Sequence, residues 1–261
     1  MVDNHSKTEL DTVQASEQAK LLFEDGDHRI YWLGIQAETA FRCNIYLIAD
    51  SDQYIIVDPG NRQTFQQIKN VVSGIIDPQN ITGLILCHQD PDVAASVVDW
   101  LNINSEITIF TSPRTRVLLP HYGISKYQFH DIESDPEYEL PSGSKLKFID
   151  APFLHSPMAF TTYDNNSRFL FSGDIYAAID SDWQLQVQNF ELHKEKMDLF
   201  HVDYMASNIA ARGFVRKLRD VDIEAILPQH GSIIPNQFVG DALEYLNNLQ
   251  CGLDVLYPDL T

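Results

Sequence analysis

The feature that most restricts this chain is the nearly continuous apolar run Ile81–Cys87, which feeds directly into His88-Gln89-Asp90-Pro91-Asp92. A strand without polar alternation is buried on both faces, so it belongs inside a sheet covered on each side. A helical pattern follows at once. His88, Asp90 and Asp92 therefore sit at the C-terminal end of a buried strand, where ligand sites of α/β folds concentrate. Alternate positions of an extended segment share one side, and Pro91 biases Asp90 towards an extended conformation. By itself the pentapeptide is equally a surface loop whose Asp92 caps a helix.

Three more loops have the same character. Leu154-His155-Ser156-Pro157 follows the strand that ends at Asp150, and Ser172-Gly173-Asp174 comes immediately after Phe169-Leu170-Phe171. Pro228-Gln229-His230-Gly231 follows the strand Glu224–Leu227, and Gly231 permits a close backbone approach or an unusual dihedral there. Taken singly, such a histidine is a surface or structural residue, and Ser-Gly-Asp is a turn. Taken together, four strand-end loops offer only His and Asp as ligands, and such loops converge on one edge of a layered fold. The candidate is a two-metal site built from His88, Asp90, Asp92, His155, Asp174 and His230.

The rest of the chain supplies the layers. Ile30–Leu33, Ile45–Ala49 and Tyr54–Val57 read as strands, with Ser51-Asp52 as a hairpin tip and Asp58-Pro59-Gly60 as a closing turn. Helices are expected over Thr64–Ile76, Asp92–Leu101 and Pro113–Leu119, with a strand at Ile107–Phe110. Strands resume at Lys145–Asp150, Phe160–Tyr163 and Arg168–Phe171, the last two joined by Asn165-Asn166. Residues 175–200 read as an irregular cover for the site. A helix over Tyr204–Leu218, a strand at Ile223–Leu227 and a helix over Asn236–Leu249 complete the pattern. Residues 1–26 read as a loosely attached leader, which Val13, Leu21, Leu22 and Phe23 could dock, and 27–261 as one domain. Two similar halves of strands and helices fit two sheets packed face to face with helices outside, an α/β architecture.

Composition excludes several classes. A formal charge of −19 repels nucleic-acid backbones and anionic lipid, so neither nucleic acid nor membrane is an expected partner. No apolar run approaches the ~20 residues that span a bilayer, and the polar, acidic N-terminus lacks the form of a secretory signal. A cytoplasmic location is expected. Cys43, Cys87 and Cys251 are odd in number and form no CxxC pair, so neither a disulfide framework nor a thiolate cluster is suggested. Cys43 and Cys87 read as small packing residues. His5, His28, His121, His130, His193 and His201 have no motif context.

The order and spacing of the four loops, with Asp58-Pro59-Gly60 ahead of them, resemble the metallo-β-lactamase superfamily over about residues 28–250. That resemblance implies a four-layer αββα sandwich with metals at the edge of the two sheets. Zinc hydrolases of the superfamily usually read His-x-His-x-Asp-His in the first motif, where this chain has Asp90 and Val93. Flavodiiron proteins carry a carboxylate at the position of Asp90, and oxygen-rich donor sets suit iron or manganese better than soft sets do. Phe153–Pro157, Phe171–Ala178, Tyr204–Asn208 and Pro228–Gly231 are similar to stand-alone oxygen-binding diiron proteins, which carry the diiron domain without a flavodoxin module.

The resemblance implies roles residue by residue. His88, Asp90 and His155 would hold one iron, Asp92 and His230 the other, and Asp174 would bridge them. Asp58 would stand behind the ligands in a structural turn. Apart from the resemblance, Tyr176 follows Asp174 closely and could reach the pocket from behind the ligands. Two iron ions are expected, with zinc or manganese as alternatives, and no flavin in this chain. Dioxygen would be the ligand, with an external electron donor or a signalling protein as partner. Self-association is common in this fold class, which makes a homo-oligomer an open expectation. Sensor, diiron oxidoreductase and metal-dependent hydrolase all remain open. The hydrolase would act on an ester, a thioester or a cyclic dinucleotide phosphodiester, because two metals ~3.5–4 Å apart also activate water.

Overall fold

The computed structural model describes residues 19–35, 40–124 and 126–260. Seven strands form the first sheet: β1 (Lys20–Asp25), β2 (His28–Ile35), β3 (Asn44–Asp50), β4 (Gln53–Val57), β5 (Gly83–Ile85), β6 (Thr108–Thr111) and β7 (Gln128–Asp131). They lie side by side in sequence order. β1 to β4 are antiparallel neighbours, and β4 to β7 run parallel. The second sheet holds β8 (Glu137–Glu139), β9 (Lys145–Asp150), β10 (Phe160–Asp164), β11 (Phe169–Gly173), β12 (Ala225–Pro228) and β13 (Ile234–Pro235), in the order β13-β12-β11-β10-β9-β8. The helices are α1 (Phe65–Ser73), α2 (Pro91–Ala94), α3 (Val97–Ile103), α4 (Pro113–Arg116), α5 (Phe190–Tyr204), α6 (Asn208–Lys217), α7 (Val239–Asn248) and α8 (Leu253–Leu256).

Three apolar clusters mark three interfaces, and so four layers. Ile30, Tyr46, Ile48, Phe148, Phe160 and Phe171 fill the space between the sheets. Ile45, Leu47, Ile68, Val72, Val97 and Trp100 join the outer face of the first sheet to α1 and α3. Leu170, Ile226, Met197, Phe214 and Leu246 join the second sheet to α5, α6 and α7. β3 shows how one strand serves two layers: Tyr46 and Ile48 point between the sheets, while Ile45 and Leu47 point to the helices. The αββα sandwich is the fold that the motif order implied. No helix among the described residues is long and apolar enough to cross a membrane.

Several expected elements take a different form. Within the span expected as a loose leader, Lys20–Asp25 is a strand paired with β2, and its Phe23 ring packs edge-on against Phe169. Residues 1–18, including Val13, lie outside the described residues. Residues 175–200 are not wholly irregular, because α5 begins at Phe190. The helix expected over Tyr204–Leu218 divides at Met205, where α5 ends and before α6 starts. The helix expected over Asp92–Leu101 also breaks. Ser96 at the break donates its hydroxyl to the Pro59 carbonyl and its N–H to that of Gly60, so the interruption docks the Asp58-Pro59-Gly60 turn.

At the pole of the sandwich formed by Asp50 and Asp164, His28 lies fully buried between the sheets. Its Nδ1 is 2.7 Å from Asp50 on β3, and its Nε2 is 3.0 Å from Asp164 on β10. Ser142 and Ser167 donate to the two carboxylates. Burial alone would lower the imidazole, but Asp164 and Asp50 together hold it above its ordinary value.

Candidate metal centre

The opposite pole gathers the four loops. β5 delivers His88 two residues after Leu86, and Asp90 stands in an extended conformation just before α2. That conformation is what Pro91 demands. Asp92 falls in the first turn of α2, His155 lies between β9 and β10, Asp174 follows β11, and His230 follows β12. All six predicted residues meet at one place, in two sets. His88, Asp90 and His155 form one set, while Asp92 and His230 fall in the other together with Cys43.

Asp174 stands between the sets. Its Oδ2 is 3.4 Å from His88 Nε2 and 2.8 Å from His155 Nε2, whereas its Oδ1 is 3.4 Å from His230 Nε2. Asp90 Oδ2 is 3.6 Å from His88 Nε2 and 3.4 Å from His155 Nε2. Asp92 Oδ2 is 3.2 Å from His230 Nε2. Groups that share an ion at ~2.0–2.2 Å must lie no more than ~4.4 Å apart, and each of these spacings meets that bound.

The donor atoms also fit cations by their lack of other partners. His88 Nε2, His230 Nε2 and Asp174 Oδ1 are buried and make no hydrogen bond, an arrangement that is costly unless something else satisfies them. His230 Nδ1 donates to the Arg42 carbonyl at 3.0 Å, which leaves the Nε2 lone pair facing the centre. His88 Nδ1 lies 3.0 Å from Cys87 Sγ, so that ring too offers Nε2.

Electrostatics point the same way. Burial opposes charge on Asp174, but His88, His155 and His230 outweigh it and hold the carboxyl well below its ordinary value. Burial likewise pulls His88 down, while Asp174, Asp90 and Asp58 hold it up at about 9. His230 is raised against burial by Asp174 and Asp92. The carboxylates thus favour positive charge at the centre.

Supporting residues fix the loops. Asp58 Oδ1 accepts the N–H of Cys87, one residue before His88; burial pushes the Asp58 carboxyl up to about 6 against that hydrogen bond. Tyr176 is placed differently from its expectation. Its side chain packs in the core beneath α5 and α7, and its hydroxyl makes no hydrogen bond. Among the described residues, that side chain makes no hydrogen bond, ion pair or ring contact with the six. Only its backbone N–H is engaged, by His201 Nε2. The backbone at Tyr176 is left-handed, at φ 69°.

Other residues around the site were not expected to contribute. Gln89 accepts from Ser156 beside His155, donates to Asp90, and offers its carbonyl to Tyr122. Phe41 stacks on the His230 ring at 3.6 Å between centroids and on Phe200 at 5.2 Å. Tyr204 stacks on Phe200 and meets the His155 ring edge-on. Asn44 on β3 donates to the carbonyls of Pro228 and Gly231, which ties the first sheet to the His230 loop.

A family model described as ODP family beta lactamase matches residues 41–231, the span that holds every one of these loops. A solved structure of a peroxy diiron species of the chemotaxis sensor ODP superposes with a TM-score of 0.81 at 34% identity, covering 93% of this chain and 100% of that one. The apo state of the chemotaxis sensor ODP from T. denticola superposes with a TM-score of 0.80 at 36% identity, covering 93% and 99%. Among curated relatives, diflavin flavoprotein A 1 from Synechocystis sp. is 32% identical over 143 residues, which is 55% of this chain and 24% of that protein. The chain spans less than half the length of the curated diflavin flavoproteins it matches.

Proposed function

This chain belongs to the ODP family of β-lactamase-like proteins, within the flavodiiron-like branch of the metallo-β-lactamase fold, and from that premise we propose that it is a non-haem diiron protein that binds dioxygen. The observation that carries the reading is Asp174, a single buried carboxylate whose two oxygens face two separate donor sets. His88, Asp90 and His155 would hold one iron, Asp92 and His230 the other, and Asp174 would bridge them. When bound, a ferrous pair would supply oxidisable metal with coordination left open for a small ligand.

The chain's own residues set the conditions. Asp90, Asp92 and Asp174 provide −3 against the +4 of two divalent ions, which favours retention of a metal pair in a buried place. The oxygen-rich donor set suits iron or manganese better than it suits a soft metal. Arg42 and Cys87 fix the two ring orientations from behind. Phe41 and Phe200 cover the His230 side and limit water there. Relatives described as diiron species and as a chemotaxis sensor support both the metal and a signalling use, in which the partner or electron donor is a separate protein.

The test is direct. Protein purified without air and loaded with ferrous iron should hold two irons per chain, and admitting dioxygen should produce a new visible absorption band together with gas uptake. Two bound irons with neither band nor uptake would refute the dioxygen reading. Turnover of an ester, thioester or cyclic dinucleotide panel by the same protein would replace it with the hydrolase.

A further inference from the structure

The second donor set contains a residue that the motif pattern does not provide. Cys43 is 5% exposed, and its Sγ lies 3.9 Å from Asp92 Oδ2. The ligand-type atoms of Cys43, Asp92 and His230 all fall within 4.8 Å of one another. The other two thiols stand elsewhere: Cys87 faces the rear nitrogen of His88, and Cys251 lies beside Asp254 in the C-terminal segment.

The backbone holds Cys43 in place. It forms an isolated antiparallel bridge with His230. On one side the Arg42 carbonyl accepts His230 Nδ1–H, and on the other Asn44 N–H donates to the Gln229 carbonyl. The sulfur is thus positioned by the same contacts that position the histidine. Independently, His230 Nε2 is fully buried, has no hydrogen-bond partner, and points to the same spot.

We propose that Cys43 is a protein ligand of the second metal position, an inference that rests on the diiron reading above. The donor count supports it. The first position has His88, Asp90, His155 and one oxygen of Asp174. The second has Asp92, His230 and the other oxygen of Asp174, because Val93 offers no donor and is buried in the core beneath the helices. Cys43 makes the two sets equal in number. A sulfur and an oxygen bound to one ion at ~2.3 Å and ~2.0–2.2 Å lie at most ~4.5 Å apart, and the observed 3.9 Å meets that bound. On binding, the S–H bond breaks, its proton leaves to solvent, and the sulfur lone pair forms the bond to the divalent ion with no change of oxidation state. Three carboxylates and one thiolate then give −4, which balances two divalent ions. A softer donor on one side also makes the two positions chemically unequal.

The test uses the full chain loaded with cobalt(II). Wild type should bind two cobalt ions per chain and show a strong near-ultraviolet thiolate-to-cobalt band. Cys43→Ser should lose the band and bind its weaker ion at least ~10-fold less tightly, the scale of one charged contact, whereas Cys251→Ser, beside Asp254 and away from the six residues, should keep both. X-ray absorption on cobalt-loaded wild type needs no variant and should show a sulfur neighbour at ~2.3 Å. Two bound cobalt ions with no sulfur neighbour, or a band that survives in Cys43→Ser, would overturn the Cys43 assignment and leave the diiron reading standing. Failure to bind a pair of divalent ions at all would overturn both.

Discussion

If Asp174 bridges, its loss is felt at both positions. Asp174→Asn preserves shape and removes the charge. In the structure the two oxygens make separate approaches, Oδ2 to the His88 and His155 side and Oδ1 to the His230 side. Taking each approach as one charged contact of ~1.5–3 kcal/mol, the substitution costs ~3–6 kcal/mol summed over the pair. At ~1.4 kcal/mol per tenfold, that is a loss of ~10²–10⁴ in the product of the two affinities. Asp90→Asn removes a contact on one side only and should cost ~10–10². The assay is anaerobic titration with ferrous iron, followed by gel filtration and metal analysis, with circular dichroism to show that each variant folds. Asp174→Asn should retain at most one iron per chain under conditions where Asp90→Asn still approaches two. A folded Asp174→Asn protein that keeps two irons at wild-type affinity would show that the carboxylate is not a bridge.

Other consequences are equally open to measurement. The His28 imidazole is raised in the folded chain against burial by Asp164 and Asp50, so its stabilisation is complete below the unfolded value of ~6.5 and is lost as pH rises through the folded value. His28→Gln should therefore cost ~3–5 kcal/mol in urea unfolding at pH 6, the cost of breaking a buried pair, and less at pH 9; an equal cost at both would refute the charged clasp. Gly231→Ala places a Cβ 2.7 Å from that of Ala178 at φ +89°, so it should lower stability by ~1–3 kcal/mol and weaken the second iron; an unchanged melting temperature would contradict this. Gln89→Ala should weaken the first iron by ~10–100-fold, the usual effect of removing a residue that orients ligands, and unchanged affinity in the iron titration would assign the Gln89 contacts to loop packing alone.

The six candidate ligands were legible because each declares itself twice, by a metal-binding side chain and by its place in the segment that follows a strand. The sandwich was legible for the same reason, since runs such as Ile45–Ala49 and Phe169–Phe171 have no exposed face to present. What escaped depends on tertiary placement. Cys43 reads as a small apolar residue until its backbone is seen paired with His230. α5 escaped because its buried stripe is Phe190, His193, Met197, Phe200 and His201, two of which are histidines, while Leu192 and Leu199 are 59% and 62% exposed. The helix therefore hides its period. β1, β7 and β8 escaped as short strands with charged or half-exposed residues, as edge strands usually are. Tyr176 shows the converse limit: two residues from Asp174 in sequence, its side chain still packs in the core under the helices.

The charge of the whole molecule separates the two chemistries that such a centre could perform. With Asp90, Asp92, Asp174 and, as proposed, a Cys43 thiolate against two divalent ions, the loaded centre would be neutral. The chain around it still carries a charge far from zero, −19 before metal is bound. A neutral diatomic ligand feels none of that field, and the rings of Phe41, Phe200 and Tyr204 beside the ligands give it an apolar surface. An anionic ester or phosphodiester must approach against the field, with no compensating charge at the metals. Raising the ionic strength from ~0.01 M to ~0.15 M shortens the screening length from ~30 Å to ~8 Å. The rate of dioxygen binding by the ferrous protein should then stay constant, measured by stopped-flow absorption. A steep salt dependence of the dioxygen reaction would mean that a charged species, and not the gas, limits it.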